Sequence, residues 1–163
     1  MAIFYHGKHV KPRSLVITAI FMALAITCAT MTSLALTSSP ASASTNNAGR
    51  ALNWAEANAT GHWYLWGGTG PSYDCSGLVM EAYGHADGIW LPHSTYAMLA
   101  SGHLVRTYNP QRGDLAFFGS GHVEFVTVWW HTTFGAHDSG TRIGWIGYNP
   151  AWGWAPTAFY RVV

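Results

Sequence analysis

Tyr73-Asp74-Cys75-Ser76-Gly77-Leu78-Val79 is the stretch of this sequence with the strongest capacity for chemistry. Asp74 has the side chain of a helix N-cap, which places Cys75 in the first turn of a helix. Unpaired backbone N–H groups and the positive end of the helix dipole lie there. Both favour the thiolate over the thiol, and the same N–H groups can donate to an oxyanion formed during acyl transfer. A free thiol is more commonly a buried structural residue. Cys75 is a nucleophile only if a histidine accepts its proton and a polar group fixes that histidine's tautomer.

Such partners occur downstream. Gly121-His122-Val123-Glu124-Phe125-Val126 alternates in character and reads as a strand, with His122 and Glu124 on one face and Val123 and Phe125 on the other. The chain then turns near 129–133 and returns through Phe134 to His137, so an antiparallel partner strand would bring His137 beside His122. His131 falls in the turn. His62, His85 and His103 are taken as bystanders.

The elements that must position these groups follow from pattern. Ala51, Leu52, Trp54 and Ala55 form an apolar stripe that predicts a helix over 48–59, capped by Asn47 and preceded by a polar linker over 37–47. A Gly/Pro-rich loop spans 67–72. A second helix is expected from Asp74 to Tyr83, and a third, capped by Ser94, ends near Ser101. Strands are expected at 115–118, 123–128, 134–137, 143–148 and 159–162. Helices first and an antiparallel sheet second make one α+β domain. Most of the nine Trp are expected to pack in the core and sheet.

The first 43 residues have the three parts of a secretory signal peptide. Lys8, Lys11 and Arg13 form a basic start, 14–36 is uncharged, and Ala41-Ser42-Ala43 is a small-residue exit. Cleavage is expected after Ala43, leaving 44–163 as an exported domain with no stable membrane association. A retained anchor is the alternative, because the run is long enough to span a bilayer. Cleavage removes Cys28 and leaves Cys75 as the single cysteine, which is then an intermolecular bridge, a buried passenger or a reactive thiol. It also leaves five Arg and no Lys against seven Asp and Glu, a net charge of −2.

Composition narrows the classes further. A hydrophobic fraction of 49% with only 9% charged residues excludes a disordered, highly charged chain. A net charge of +1 for the whole chain, with no Lys/Arg cluster after residue 13, argues against nucleic-acid binding.

Five blocks in order resemble the NlpC family of papain-like cysteine peptidases, which cleave peptidoglycan stem peptides. Tyr64-Leu65-Trp66-Gly67-Gly68 is similar to Y-x-W-G-G. Asp74-Cys75-Ser76-Gly77-Leu78-Val79 is similar to D-C-S-G-L-V. Leu91-Pro92-His93-Ser94 resembles L-P-R-[ST], Arg112-Gly113-Asp114-Leu115-Ala116-Phe117-Phe118 resembles P-G-D-L-x-F-F, and Gly121-His122-Val123 resembles S-H-V-G. The resemblance implies a papain-like fold, with N-terminal helices packed on a five- to six-stranded antiparallel sheet. It implies Cys75 as nucleophile, His122 as general base, and a third polar residue on the next strand, best matched by His137 with His131 as fallback. Tyr64, Asp74 and Ser76 match positions that line the site. Tyr64 is equally readable as a packing residue beside Trp66, Asp74 also as a helix cap, and Asp114 as a turn residue. The implied activity is hydrolysis of stem-peptide bonds, D-γ-glutamyl to a diamino acid, by a secreted monomer that uses no metal or cofactor. An amidase, acyltransferase or wall-directed toxin on the same scaffold, or an inactive wall-binding module, stay open. Two departures stand out. His93 replaces the family's Arg, and Glu124 replaces a Gly, where a carboxylate is expected to raise the His122 pKa or repel an anionic substrate.

Overall fold

The computed structural model describes residues 40–163, with side chains from Asn47 onward. The predicted leader lies outside the described residues up to position 39. Three helices precede six strands: α1 (Pro40–Ala59), α2 (Cys75–Asp87) and α3 (Thr95–Ala100), then β1 (Leu104–Thr107), β2 (Leu115–Phe118), β3 (His122–Val126), β4 (Thr132–Gly135), β5 (Gly144–Gly147) and β6 (Ala158–Val162). A 3₁₀ turn, Pro150–Trp152, separates the last two strands. The sheet order is β1-β6-β2-β3-β4-β5, with every neighbouring pair antiparallel.

Helix α1 starts at Pro40 rather than at residue 48, so the expected linker is helical from 40 onward. A proline fits the first turn of a helix because its missing N–H has no intrahelical partner there. Asn47 is therefore inside the helix and accepts a hydrogen bond from Arg50 Nη2 instead of capping. Helices α2 and α3 are capped as expected, by Asp74 and Ser94. Strand β1 was not expected. It pairs only with β6 at the sheet edge and buries little, so Leu-Val-Arg-Thr carries no core alternation to reveal it.

The core lies where α1 and α2 pack on each other and on the sheet. Ala51, Leu52, Ala55 and Ala59 of α1 and Leu78, Val79, Ala82 and Tyr83 of α2 meet Leu115, Phe117, Val123, Phe125 and Phe134 of the sheet, all buried. Each large apolar side chain so buried contributes about 1.5–3 kcal/mol. The tryptophans do not behave as expected. Seven of the nine (Trp63, Trp66, Trp90, Trp129, Trp130, Trp145 and Trp152) are exposed, and only Trp54 and Trp154 are partly buried. The interior is filled instead by Ala, Leu, Val, Phe and Tyr, with Trp54 of α1 packed at its margin and stacked on His85 of α2.

The turn before β2 is anchored from inside. Asp114 is fully buried, takes both Nε and Nη2 of Arg161 at 2.8 and 2.6 Å, and accepts the Gln111 N–H at 2.7 Å. It is a turn residue that ties β2 to β6, as the sequence indicated.

Candidate active site

Two close backbone approaches bring Cys75 into place. A Cβ at Gly77 would lie 2.1 Å from the Gly68 carbonyl oxygen, and one at Gly68 would lie 2.4 Å from that of Ser72. The loop can therefore lie directly on the first turn of α2, where the Asp74 N–H donates to the Gly68 carbonyl at 3.1 Å. The Asp74 carboxylate binds both sides of this junction. It accepts from Gly67 N–H at 2.8 Å, Gly77 N–H at 2.7 Å, Ser76 Oγ at 3.1 Å and His93 Nε2 at 3.0 Å. Burial opposes its ionisation, but the Gly77, His93 and Gly67 hydrogen bonds outweigh it and hold its pKa below the usual carboxylate value. Asp74 is thus both helix cap and site residue, and the departure His93 is bound to it.

Cys75 is the first residue of α2 and is buried, forming part of the wall of an open cleft of about 380 Å³. Trp66, Asp74, Ser76, His93 and Thr95 line the same cleft. Tyr64 lies close enough to Cys75 and Asp74 to feel their charges. Burial first, then the negative charges of Cys75, Asp74 and Asp138, raise the Tyr64 pKa, so its phenol stays protonated near the thiol.

His122 begins β3; its Nε2 bonds Glu124, and its ring also interacts with Cys75. Its Nε2 is 3.0 Å from Glu124 Oε1, which leaves Nδ1 for the thiol. Glu124 is fully buried, and the same Oε1 is 3.0 Å from His137 Nδ1. Thr133 Oγ1 donates to Oε2. Burial would raise the Glu124 pKa, but these hydrogen bonds and the His122 charge bring it down to about 2. Burial would likewise lower the His122 pKa, yet hydrogen bonds to Cys75 and Glu124 and their charges raise it to about 9. Trp154 covers both imidazoles, with ring centroids 5.7 Å from His122 and 5.0 Å from His137.

The predicted residues Cys75, His122, Tyr64, Asp74 and Ser76 are therefore brought together. His137 arrives beside His122, ring centroids 5.7 Å apart and edge to face, but its hydrogen bond goes to Glu124. His131 sits in the β3–β4 turn at φ 48°, stacked on Trp130 at 4.1 Å. Glu124 was legible as a carboxylate on the His122 face. Of the two effects weighed for it, the raised His122 pKa is the one seen, with the carboxylate buried beneath the two rings. The donor atoms of His122, Glu124 and His137 lie within 4.8 Å of one another, a set a metal ion could use; the hydrogen bonds already described account for all three.

Known proteins resemble this chain in sequence and in fold. The model of the NlpC/P60 family matches residues 61–151. A probable endopeptidase of Mycobacterium tuberculosis is 48% identical over 58 residues, 35% of this chain and 15% of that protein. The gamma-DL-glutamyl hydrolase of Bacillus subtilis is 41% identical over 59 residues, 35% of this chain and 14% of that one. The chain thus matches only about 15% of these relatives' length. The solved structure of the peptidoglycan hydrolase RipB from Mycobacterium tuberculosis superposes with a TM-score of 0.59 at 23% identity, over 76% of this chain and 67% of that one, a likeness of fold.

Proposed function

The chain belongs to the NlpC/P60 family, and from that premise we propose that its domain is a cysteine endopeptidase hydrolysing peptidoglycan stem peptides after D-γ-glutamyl residues. The observation that carries this is Cys75 at a helix N-terminus, in the wall of a cleft, with the His122 ring interacting with it from β3. The similar gamma-DL-glutamyl hydrolase supports the choice of bond.

The Cys75 thiolate attacks the scissile carbonyl, and backbone N–H groups of the first turn of α2 donate to the resulting oxyanion. His122, carrying the thiol's proton, gives it to the leaving amine as the C–N bond breaks. The thioester remains on Cys75. Water then attacks the thioester, His122 takes its proton, and the C–S bond breaks to release the acid. Tyr64, Asp74 and Ser76 shape the site, and exposed Trp66 flanks the cleft. A secretory leader with cleavage after Ala43 would deliver the domain to the wall; a secreted protein starting well before Ser44 would refute that part.

Incubation of the purified chain with peptidoglycan, followed by mass analysis of released fragments, tests the activity. Cys75→Ala should abolish release while wall binding persists. Equal release by wild type and Cys75→Ala would overturn the proposal, and binding without release by either would identify a wall-binding module.

A further inference from the structure

The buried carboxylate of Glu124 is closed by three donors: His122 Nε2, His137 Nδ1 and Thr133 Oγ1. An ionised carboxylate only accepts hydrogen bonds, so each ring must present an N–H to it. For His122 this selects the Nε2–H form when the ring is neutral. The lone pair on Nδ1 is then free to take the Cys75 proton. His137 satisfies the carboxylate from the far side and reaches His122 by hydrogen bonding only through it.

Strand β4 is shaped around this side chain. The register Phe125↔Phe134 and Val126↔Thr133, extended by one pair, sets Gly135 opposite Glu124. A Cβ at Gly135 would lie 2.6 Å from Glu124 Cγ, so the neighbouring strand leaves this space empty of side chain. The other groups around the His122 ring are Cys75 from α2, His137 beyond β4, and the uncharged rings of Phe118 and Trp154.

We propose that Glu124, and not His137, is the positioning residue of His122, so that the working unit is Cys75–His122–Glu124 with its base and orienting acid two residues apart on β3. This rests on the reading of Cys75 as nucleophile and His122 as base. His137 is an outer support that keeps Glu124 ionised and aimed.

The test compares wild type, Glu124→Gln and His137→Gln in the full chain with a chelator present. Turnover of a γ-D-glutamyl-diamino acid peptide, iodoacetamide alkylation of Cys75 against pH, and thermal melts are measured on each. Glu124→Gln should lower kcat by about 10²–10⁴ with little change in KM, the scale expected when a catalytic histidine loses its orienting carboxylate. It should also move the alkaline limb of kcat/KM down by about one pH unit or more, and slow alkylation at neutral pH. His137→Gln should lower kcat less than about tenfold and leave that limb nearly in place. Equal losses and equal limb shifts in both variants would return the role to His137. Wild-type kinetics in Glu124→Gln would remove Glu124 from the mechanism. Should Glu124→Gln not fold, ¹⁵N NMR of the wild-type His122 ring decides: a protonated Nε2 in the neutral ring is expected, and the Nδ1–H form overturns the proposal. If the wild type cleaves no peptide, the peptidase reading fails, while the alkylation and NMR comparisons still report on Glu124.

Discussion

A methyl group placed on Gly135 should disable the site without touching Cys75 or His122. The added Cβ would lie 2.6 Å from Cγ, 3.1 Å from Cβ and 3.2 Å from Cδ of Glu124. All three atoms belong to the root and middle of the side chain, so no rotation of a distal group relieves the contact. Either β4 shifts away or the carboxylate leaves its position 3.0 Å from both imidazoles. Overpacking of this kind costs about 1–3 kcal/mol, and weakening a charge-assisted hydrogen bond adds about 1.5–3 kcal/mol. Gly135→Ala is therefore expected to destabilise the domain by about 2.5–6 kcal/mol. For a domain of this size, that lowers Tm by roughly 8–30 °C. Turnover should fall by at least about tenfold at temperatures where the variant is fully folded. The assay is a double-mutant cycle with Glu124→Ala, read by denaturant unfolding. Glu124→Ala removes the 2.6 and 3.2 Å contacts and leaves only the one at 3.1 Å, so the two substitutions should be non-additive by about 1 kcal/mol or more. A Gly135→Ala protein with wild-type Tm and kcat, or strictly additive effects, would refute the packing argument.

Four further outcomes are expected. Peptide turnover should decline as pH rises through about 9, where His122 loses the proton it must give to the leaving amine. In stability the two groups act in opposite directions: the His122 contribution is full below its ordinary value of 6.5 and is lost as pH rises through about 9. That of Glu124 is full above 4.5 and is lost as pH falls towards about 2, so denaturant melts from pH 3 to 10 should show a maximum between these limits. Asp114→Ala leaves Arg161 and the Gln111 N–H without their acceptor and should cost about 3–5 kcal/mol; an intact active site in the folded fraction, scored by Cys75 alkylation rate, would separate this from a catalytic effect. Gly77→Ala should unseat the Gly67–Gly68 loop from α2, because the new Cβ would sit 2.1 Å from backbone oxygen, and a variant with unchanged Tm and alkylation rate would contradict that assignment.

Much of the fold was readable because its signals are local. Asp74 and Ser94 mark helix starts through side chains that bond the first-turn N–H groups, and both caps stand where expected. Strand β2 matches the predicted range as a short apolar run after a turn, and β3 begins at His122 as expected through its apolar–polar alternation; neither signal needs knowledge of the partner strand. Edge strand β1 escaped notice because it buries little. The tryptophans misled because residue type gives only an average preference for the interior, while tertiary packing decides where each ring ends.

The sequence by itself determined the family, the helix-start cysteine, the histidine on a strand, and the carboxylate two residues after it on the same face. These follow from chain-local geometry and from short motifs whose glycines answer to backbone contacts nearby. Only the tertiary structure decided which neighbour holds His122. Strand alternation could place Glu124 and His137 on adjoining strands facing the same side. Which one bonds the imidazole depended on the β3–β4 register, the missing Cβ at Gly135, and three donors converging on one buried carboxylate. That convergence is long-range, so the residue the motif favoured stands one hydrogen bond further from Cys75 than its spacing suggested.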